Sequence, residues 1–270
     1  MFISYYNLEA FDRESRATQK LVEKYSIFDL KGSRIELCVN RCTKDHPCPR
    51  LVRLYAKMGL HRYNLLQGRE FKLKGVQKYI KTLGSPAATY YITVYAIDQA
   101  GGSSRQTFQI QVSEETCGKF MLTCDIARIR GESKSDKETM LLDIRLPEWP
   151  PENPFERYCL AKEELKSNDW ICLYLELTLA TTEDRYGDSK FKLDIVNVAT
   201  DLVPPGLNAK NATFYIRYND LSKTALGEVS DHIAIVSRRF DEDTGCFVLV
   251  GQSHQSSKVL PENLPIIIRL

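Results

Sequence analysis

Apolar and polar residues alternate along much of this chain. Between Arg105 and Val112, Phe108, Ile110 and Val112 fall on one side and Gln109 and Gln111 on the other, the period of a half-buried strand. Thr89–Ile97 and Ala212–Tyr218 are rich in Tyr, Ile, Phe and Thr and predict two more strands. A longer period-two run sets Ile171, Leu173, Leu175, Leu177 and Leu179 against Cys172, Tyr174, Glu176 and Thr178, and predicts a further strand there. Gly101-Gly102-Ser103 and Asp243-Thr244-Gly245 supply residues that tolerate positive φ and predict hairpin turns. Gaps this short leave no room for crossover helices, so the pairing is antiparallel. Two segments have helical spacing instead. Leu8–Tyr25 carries an apolar stripe through Leu8, Phe11, Leu21, Val22 and Tyr25. Arg50–Leu66 carries one through Leu51, Leu54, Tyr55, Met58 and Leu65, with Pro49 where a first-turn proline is tolerated and Gly68 where a helix commonly stops.

The fold class is therefore α+β and mostly antiparallel β. Small and charged residues from Gly131 to Thr139, followed by Pro147, Pro150, Pro151 and Pro154, interrupt regular structure. The chain reads as a helix-and-strand extension over 1–48, a module over 49–130, a linker over 131–154 and a second β-rich module over 155–270; one domain with a long excursion is the alternative. Two matched blocks point to duplication. Phe71-Lys72-Leu73-Lys74-Gly75-Val76 resembles Phe191-Lys192-Leu193-Asp194-Ile195-Val196, and Ala88-Thr89-Tyr90-Tyr91-Ile92-Thr93 resembles Ala212-Thr213-Phe214-Tyr215-Ile216-Arg217.

Composition narrows the setting. With 270 residues, 43% of them hydrophobic, and a net charge of +2, the chain folds rather than staying disordered. No run approaches the ~18 apolar residues of a spanning helix, and the first residues lack the charged and apolar regions of a secretory leader. The eight cysteines then read as reduced thiols in an intracellular protein, cytoplasmic or nuclear.

From Pro49 to Glu115 a helix is followed by Glu70–Val76, Thr89–Val94 and Gln106–Val112, an order that resembles plant cystatins, in which one helix lies across a curved antiparallel sheet. The stretch Leu54-Tyr55-Ala56-Lys57-Met58-Gly59-Leu60-His61-Arg62-Tyr63-Asn64-Leu65-Leu66-Gln67-Gly68, with Asn211–Tyr218 and Phe240–Phe247, resembles a crucifer family of uncharacterised proteins related to the male-sterility-five and cystatin-related groups. That resemblance implies a part in plant reproductive or embryo development. Inhibitory cystatins wedge a Gln-x-Val-x-Gly hairpin and a Pro-Trp loop into a protease cleft. Here the first hairpin reads Lys81-Thr82-Leu83-Gly84-Ser85-Pro86-Ala87, the next is Ala100-Gly101-Gly102-Ser103, and Trp149-Pro150 has reversed order outside the module. Cysteine-protease inhibition is disfavoured, since function lives in sites rather than folds.

Candidate chemistry is sparse. Between Pro49 and Thr82, Arg50, Arg53, Lys57, Arg62, Arg69, Lys72, Lys74, Lys78 and Lys81 face one acid, Glu70, so this segment carries +8 and the rest of the chain −6. Arg50, Arg53, Lys57 and His61 share a helical face, and Lys72, Lys74 and Lys78 share strand parity, with Tyr55, Tyr63, Phe71 and Tyr79 interleaved. Such a surface suits an acidic partner or a nucleic-acid backbone, although a pI of about 8.0 argues against the latter. The alternative is a solvated face with core aromatics.

Cys38, Cys42, His46 and Cys48 are zinc-type ligands without the Cys-x2-Cys spacing that makes such sets persuasive. His46, His61, His232 and His254 are the only histidines, and no nucleophile elbow, phosphate-cradling glycine loop or His-Glu-x-x-His helix occurs. Asp241-Glu242-Asp243 reads as a hairpin tip rather than a calcium loop, Asn211-Ala212-Thr213 as an unused sequon, and Arg238-Arg239 is too short for a nuclear signal. The expectation is a non-enzymatic protein-interaction module without a cofactor, whose partner is an unnamed protein.

Overall fold

A computed structural model describes residues 8–34, 36–100, 104–132, 145–156, 159–160, 162–183, 187, 191–201 and 207–259. The turn expected at Gly101–Ser103, most of the linker and Pro204–Gly206 lie outside them. The architecture is α+β and mostly antiparallel sheet. The described residues form two compact units: those up to Cys117 with those from Thr123 to Glu132, and Gly118–Leu122 with those from Arg145 onward. Among the described residues, no helix is long and apolar enough to cross a membrane.

The first unit contains α1 (Leu8–Tyr25), β1 (Leu37–Arg41), α2 (Arg50–Gln67), β2 (Phe71–Thr82), β3 (Thr89–Asp98), β4 (Arg105–Glu114) and most of β5 (Phe120–Ile129). The strands neighbour one another in chain order. Helix α2 follows Pro49 and ends on Gly68, whose φ of 60° is the left-handed cap that glycine adopts freely. The Asn64 side chain then ties helix to strand, donating to the Phe71 carbonyl and accepting from its amide, both at 2.9 Å. Leu54, Tyr55, Met58 and Leu60 of α2 are buried with Ile92, Val94, Phe108 and Ile110 of the sheet. At Gly59 a Cβ would stand well under 3 Å from Ile110, so the missing side chain is what lets helix and strand approach. Inside this core the Tyr55 hydroxyl donates to Glu114 at 2.7 Å and the Ala88 amide to the same carboxylate at 3.0 Å, so the buried charge is hydrogen-bonded.

The opposite face of this sheet is strapped by a 3-10 turn, Ile27–Asp29. Phe28 meets the Tyr91 ring edge-on at 5.7 Å, and Leu30 clusters with Leu37 and Ile80.

The second unit contains α3 (Lys162–Ser167), α4 (Trp170–Thr182), β6 (Leu193–Thr200), β7 (Ala212–Asp220), α5 (Leu221–Ala225), β8 (Asp231–Phe240) and β9 (Phe247–Gln255). Its strand order is β9-β8-β7-β6, all antiparallel. Here the expectation for 171–179 fails: this run is helix α4, not a strand. The reason is burial. Cys172 and Thr182 are its only exposed residues, and a helix enclosed on nearly every side needs no polar stripe. Its fully buried Thr178 hydroxyl donates to the Tyr174 carbonyl at 2.9 Å instead of meeting water.

The other face of the second sheet carries a strap of its own. Trp149 and Phe155, the latter in the 3-10 turn Pro154–Glu156, pack against the cluster of Ala199, Tyr215 and Ile235, and the Gln252 amide donates to the Pro147 carbonyl at 2.9 Å. Residues 147–154, expected to be linker, thus include a segment packed on the sheet.

Candidate functional site

The basic stretch 50–81 spans α2 and β2, and the fold uses its cations in different ways. Arg50 is only 7% exposed, although its helical position predicts a solvated face shared with Arg53 and Lys57. Arg53 donates to the Cys48 carbonyl across the helix entry. Arg62 reaches the carbonyls of Asp125 and Ala127, both at 3.5 Å. Arg69 pairs with the buried Asp98 at 3.5 Å. His61 is half-buried, and Lys57, Lys72 and Lys74 are exposed.

Two β-bulges in β2 alter the expected parity. The register skips Lys74 and again Gln77, leaving each without a partner opposite on β3. Two insertions restore the phase, so Lys72 and Lys78 still share a face, while Lys74 is itself an extra residue. The face is the one away from α2, because Lys78 pairs with Thr93 while the next position, Tyr79, pairs with Ile92.

There Lys78 donates to the Leu30 carbonyl at 3.0 Å and lines a cleft of about 350 Å³ with Lys31, Arg41 and Arg130. Burial pushes the Lys78 ammonium below its ordinary range; Asp29 opposes the shift, and Arg130, Arg41 and Lys31 reinforce it. Asp29 is the cleft's one acid and pairs with Arg130 at 2.9 Å. Of these residues only Lys78 was legible as part of a basic cluster. Lys31, Arg41 and Arg130 stand far apart in the chain, and no local pattern joins them.

Of the four thiol and imidazole candidates, Cys42 and Cys48 meet. Among the described residues no group of three or more His, Cys, Asp or Glu side chains is placed to hold a metal ion. The Cys42 and Cys48 free thiols are joined by a hydrogen bond, which lowers the Cys42 pKa against burial. The Cys38 sulfur accepts from Asn40 at 3.3 Å. His46 is exposed in a turn closed by Thr43. Burial pushes the Tyr79 phenol up to about 12, with the three cysteine sulfurs adding to the effect.

The remaining histidines serve packing. His232 stacks on Tyr218 at 5.6 Å with Nδ1 against the Ser230 carbonyl at 2.8 Å, and His254 lies 6.0 Å from Trp149 and 3.2 Å from Gln252. Asp241 accepts from the Thr244 amide and hydroxyl, and Glu242 pairs with Lys210 at 2.8 Å, so the acidic triplet closes a hairpin. Asn211 accepts from the Phe240 amide at 2.8 Å.

Sequence reasoning missed Arg238. It is fully buried, 4.9 Å from the Trp170 ring and 5.3 Å from Phe214, and donates to Tyr174 at 3.2 Å and to the Leu207 and Ala209 carbonyls. Its arginine neighbour Arg239 is exposed, so the dipeptide is not one surface feature.

With α+β architecture and these residues placed, comparison with known proteins is informative. A family model described as Protein MS5 matches residues 146–249. UPF0725 protein At3g25080 of Arabidopsis thaliana is 57% identical over 164 residues, which cover 58% of this chain and 95% of that protein. UPF0725 protein EMB2204, from the same plant, is 39% identical over 237 residues, covering 80% and 71% respectively. The crystal structure of MS5 from Brassica napus superposes with a TM-score of 0.61 at 32% identity, covering 77% of this chain and 98% of that one. The chain belongs to the plant UPF0725 family of MS5-related proteins.

Proposed function

We propose that this is a non-enzymatic interaction protein built from two copies of one cystatin-like module, and that it docks an acidic protein partner through the exposed lysines of the first copy. Duplication is supported by order and detail. In each unit a 3-10 turn with a central phenylalanine, Phe28 or Phe155, precedes a helix and then antiparallel strands in sequence. Phe28 packs on Tyr91 and Phe155 on the cluster that holds Tyr215, and the two tyrosines occupy matching places in the two repeat blocks. A bulge in β2 lies opposite Thr93 and Val94, and one in β6 lies opposite Arg217 and Tyr218, again equivalent positions.

The observation that carries the binding reading is the division among cations. Arg53 and Arg62 are tied to backbone carbonyls and Arg50 is buried, whereas Lys57, Lys72 and Lys74 are presented to solvent. Solvated lysines steer an acidic partner at little cost to the fold. The hairpin between β2 and β3 carries Leu83-Gly84-Ser85-Pro86 in place of an inhibitory motif, which weighs against protease inhibition. The male-sterility-five relationship points to reproductive or embryo development in an intracellular setting. Affinity capture from floral tissue, comparing the native chain with K57E/K72E/K74E, tests the reading. Acidic proteins retained by the native chain and lost by the variant are expected; an identical set on both would overturn it.

A further inference from the structure

The cleft behind the first sheet carries a second, independent site. Its floor is polar: Thr93 is 4% exposed and Gln109 5%, and both line the cavity. The Gln109 oxygen accepts from Arg128 at 3.2 Å, and Gln109 and Thr93 bring an amide and a hydroxyl to the cavity lining. Polar groups lining a cavity can donate to and accept from a ligand there. Over the floor stand Lys31, Arg41, Lys78 and Arg130 with Asp29 alone to oppose them, an excess of three positive charges around about 350 Å³. That volume is at the small end of the roughly 300–1,000 Å³ of small-molecule pockets. Phe28 adds one apolar wall.

We propose that this cleft binds the phosphate group of a small organic phosphate. A monocarboxylate would leave most of the positive excess unmatched, whereas a phosphate carries close to two charges and several strong acceptors for arginine and lysine donors. Lys78 spends one N–H on the Leu30 carbonyl and keeps others for the anion. Thr93 and Gln109 meet the ester oxygen or a hydroxyl of the organic part. The site belongs to the first unit. In the second, the position matching Thr93 is Arg217, and its charge is already matched by Asp231 at 2.7 Å.

Calorimetric titration of the full chain at low salt, with inorganic pyrophosphate as probe, tests the proposal. One pyrophosphate per chain is expected. Lys78→Met, which keeps the stem and removes the charge, weakens it about tenfold, as does Arg41→Gln at an exposed position that folding does not need. Asp29→Asn tightens it, a change of sign that loss of structure would not produce. Lys57→Glu, on α2 and so on the other side of the sheet, leaves it within about twofold, which separates this cleft from the helix surface. Absence of saturable binding at millimolar pyrophosphate overturns the proposal, as does an affinity indifferent to both Lys78→Met and Arg41→Gln.

Discussion

The two units solve the same packing problem with different materials. Helix α2 is amphipathic: Leu54, Tyr55 and Met58 are buried while Lys57 is exposed and His61 to Leu66 are half-buried. Helix α4 is sunk from Ile171 to Thr181 but for Cys172 and the half-buried Glu176. The first unit buries an anion, Glu114, and satisfies it with the Tyr55 hydroxyl and the Ala88 amide. The second buries a cation, Arg238, and satisfies it with aromatic faces, a phenol and two carbonyls. Their outer faces diverge too. Aromatics and the Arg217–Asp231 pair occupy the second, whereas the first keeps a polar floor under an excess of cations. A cationic excess is what the proposed anion binding would use and what a stable core avoids.

Both tryptophans, Trp149 and Trp170, lie in the second unit, so their fluorescence follows that unit alone while circular dichroism follows both. The largest effect belongs to Arg238→Met. It strands the Leu207 and Ala209 carbonyls and removes a cation from between two rings, at about 3 kcal/mol. The fluorescence midpoint in urea drops accordingly; a shift within experimental error would show that the guanidinium is dispensable to the unit.

A pair of alanines follows. At Gly251 a Cβ would press on the Ile235 carbonyl oxygen, a backbone atom that cannot swing aside, and at Gly59 it would press on the Ile110 side chain. Gly251→Ala costs about 3 kcal/mol, seen in fluorescence. Gly59→Ala costs about 1–2 kcal/mol, since better helix propensity offsets part of the overpacking. The Gly59 effect appears in circular dichroism and not in tryptophan fluorescence. Equal costs would mean that the strand-to-strand crowding at Gly251 is no tighter than the helix-to-strand contact at Gly59.

The smallest effect is one of pH. Burial acts to raise the Asp231 carboxyl, but the bonds and charge of Arg217, together with Ser256 and His232, outweigh it and hold the group below the ordinary aspartate value. A lowered folded-state pKa adds stability at neutral pH that disappears as pH falls through that pKa. The pair is partly exposed, so its share is under about 1 kcal/mol. The second unit therefore weakens as pH drops below about 4, and Asp231→Asn flattens that acid limb. An unchanged limb in the variant would assign the acid sensitivity to other carboxylates.

Helix α2 was legible because its apolar residues recur at helical spacing between Pro49 and a left-handed Gly68, and each of these signals is local. Strands β3, β4 and β7 were legible for the same reason. Helix α4 was not. A run with leucine at every second place satisfies a strand, yet in a helix enclosed all round no face has to be polar, so periodicity carries no information there. Leucine in place of β-branched residues, and thirteen positions free of Gly and Pro, were the signals available. The basic stretch was visible as charge, but burial decided that Arg50 would not be solvated and that two bulges would make Lys74 an extra residue in β2.

What the sequence determined by itself was the α+β class, the antiparallel pairing and the family, all written in short-range order. The cleft needed tertiary structure, because Asp29, Lys31, Arg41, Lys78, Thr93, Gln109 and Arg130 come from separate segments and meet only when the strap crosses the sheet. Charge acts through space and composition is read along the chain. A net charge of +2 therefore averaged away this gathering of positive charge around a cavity.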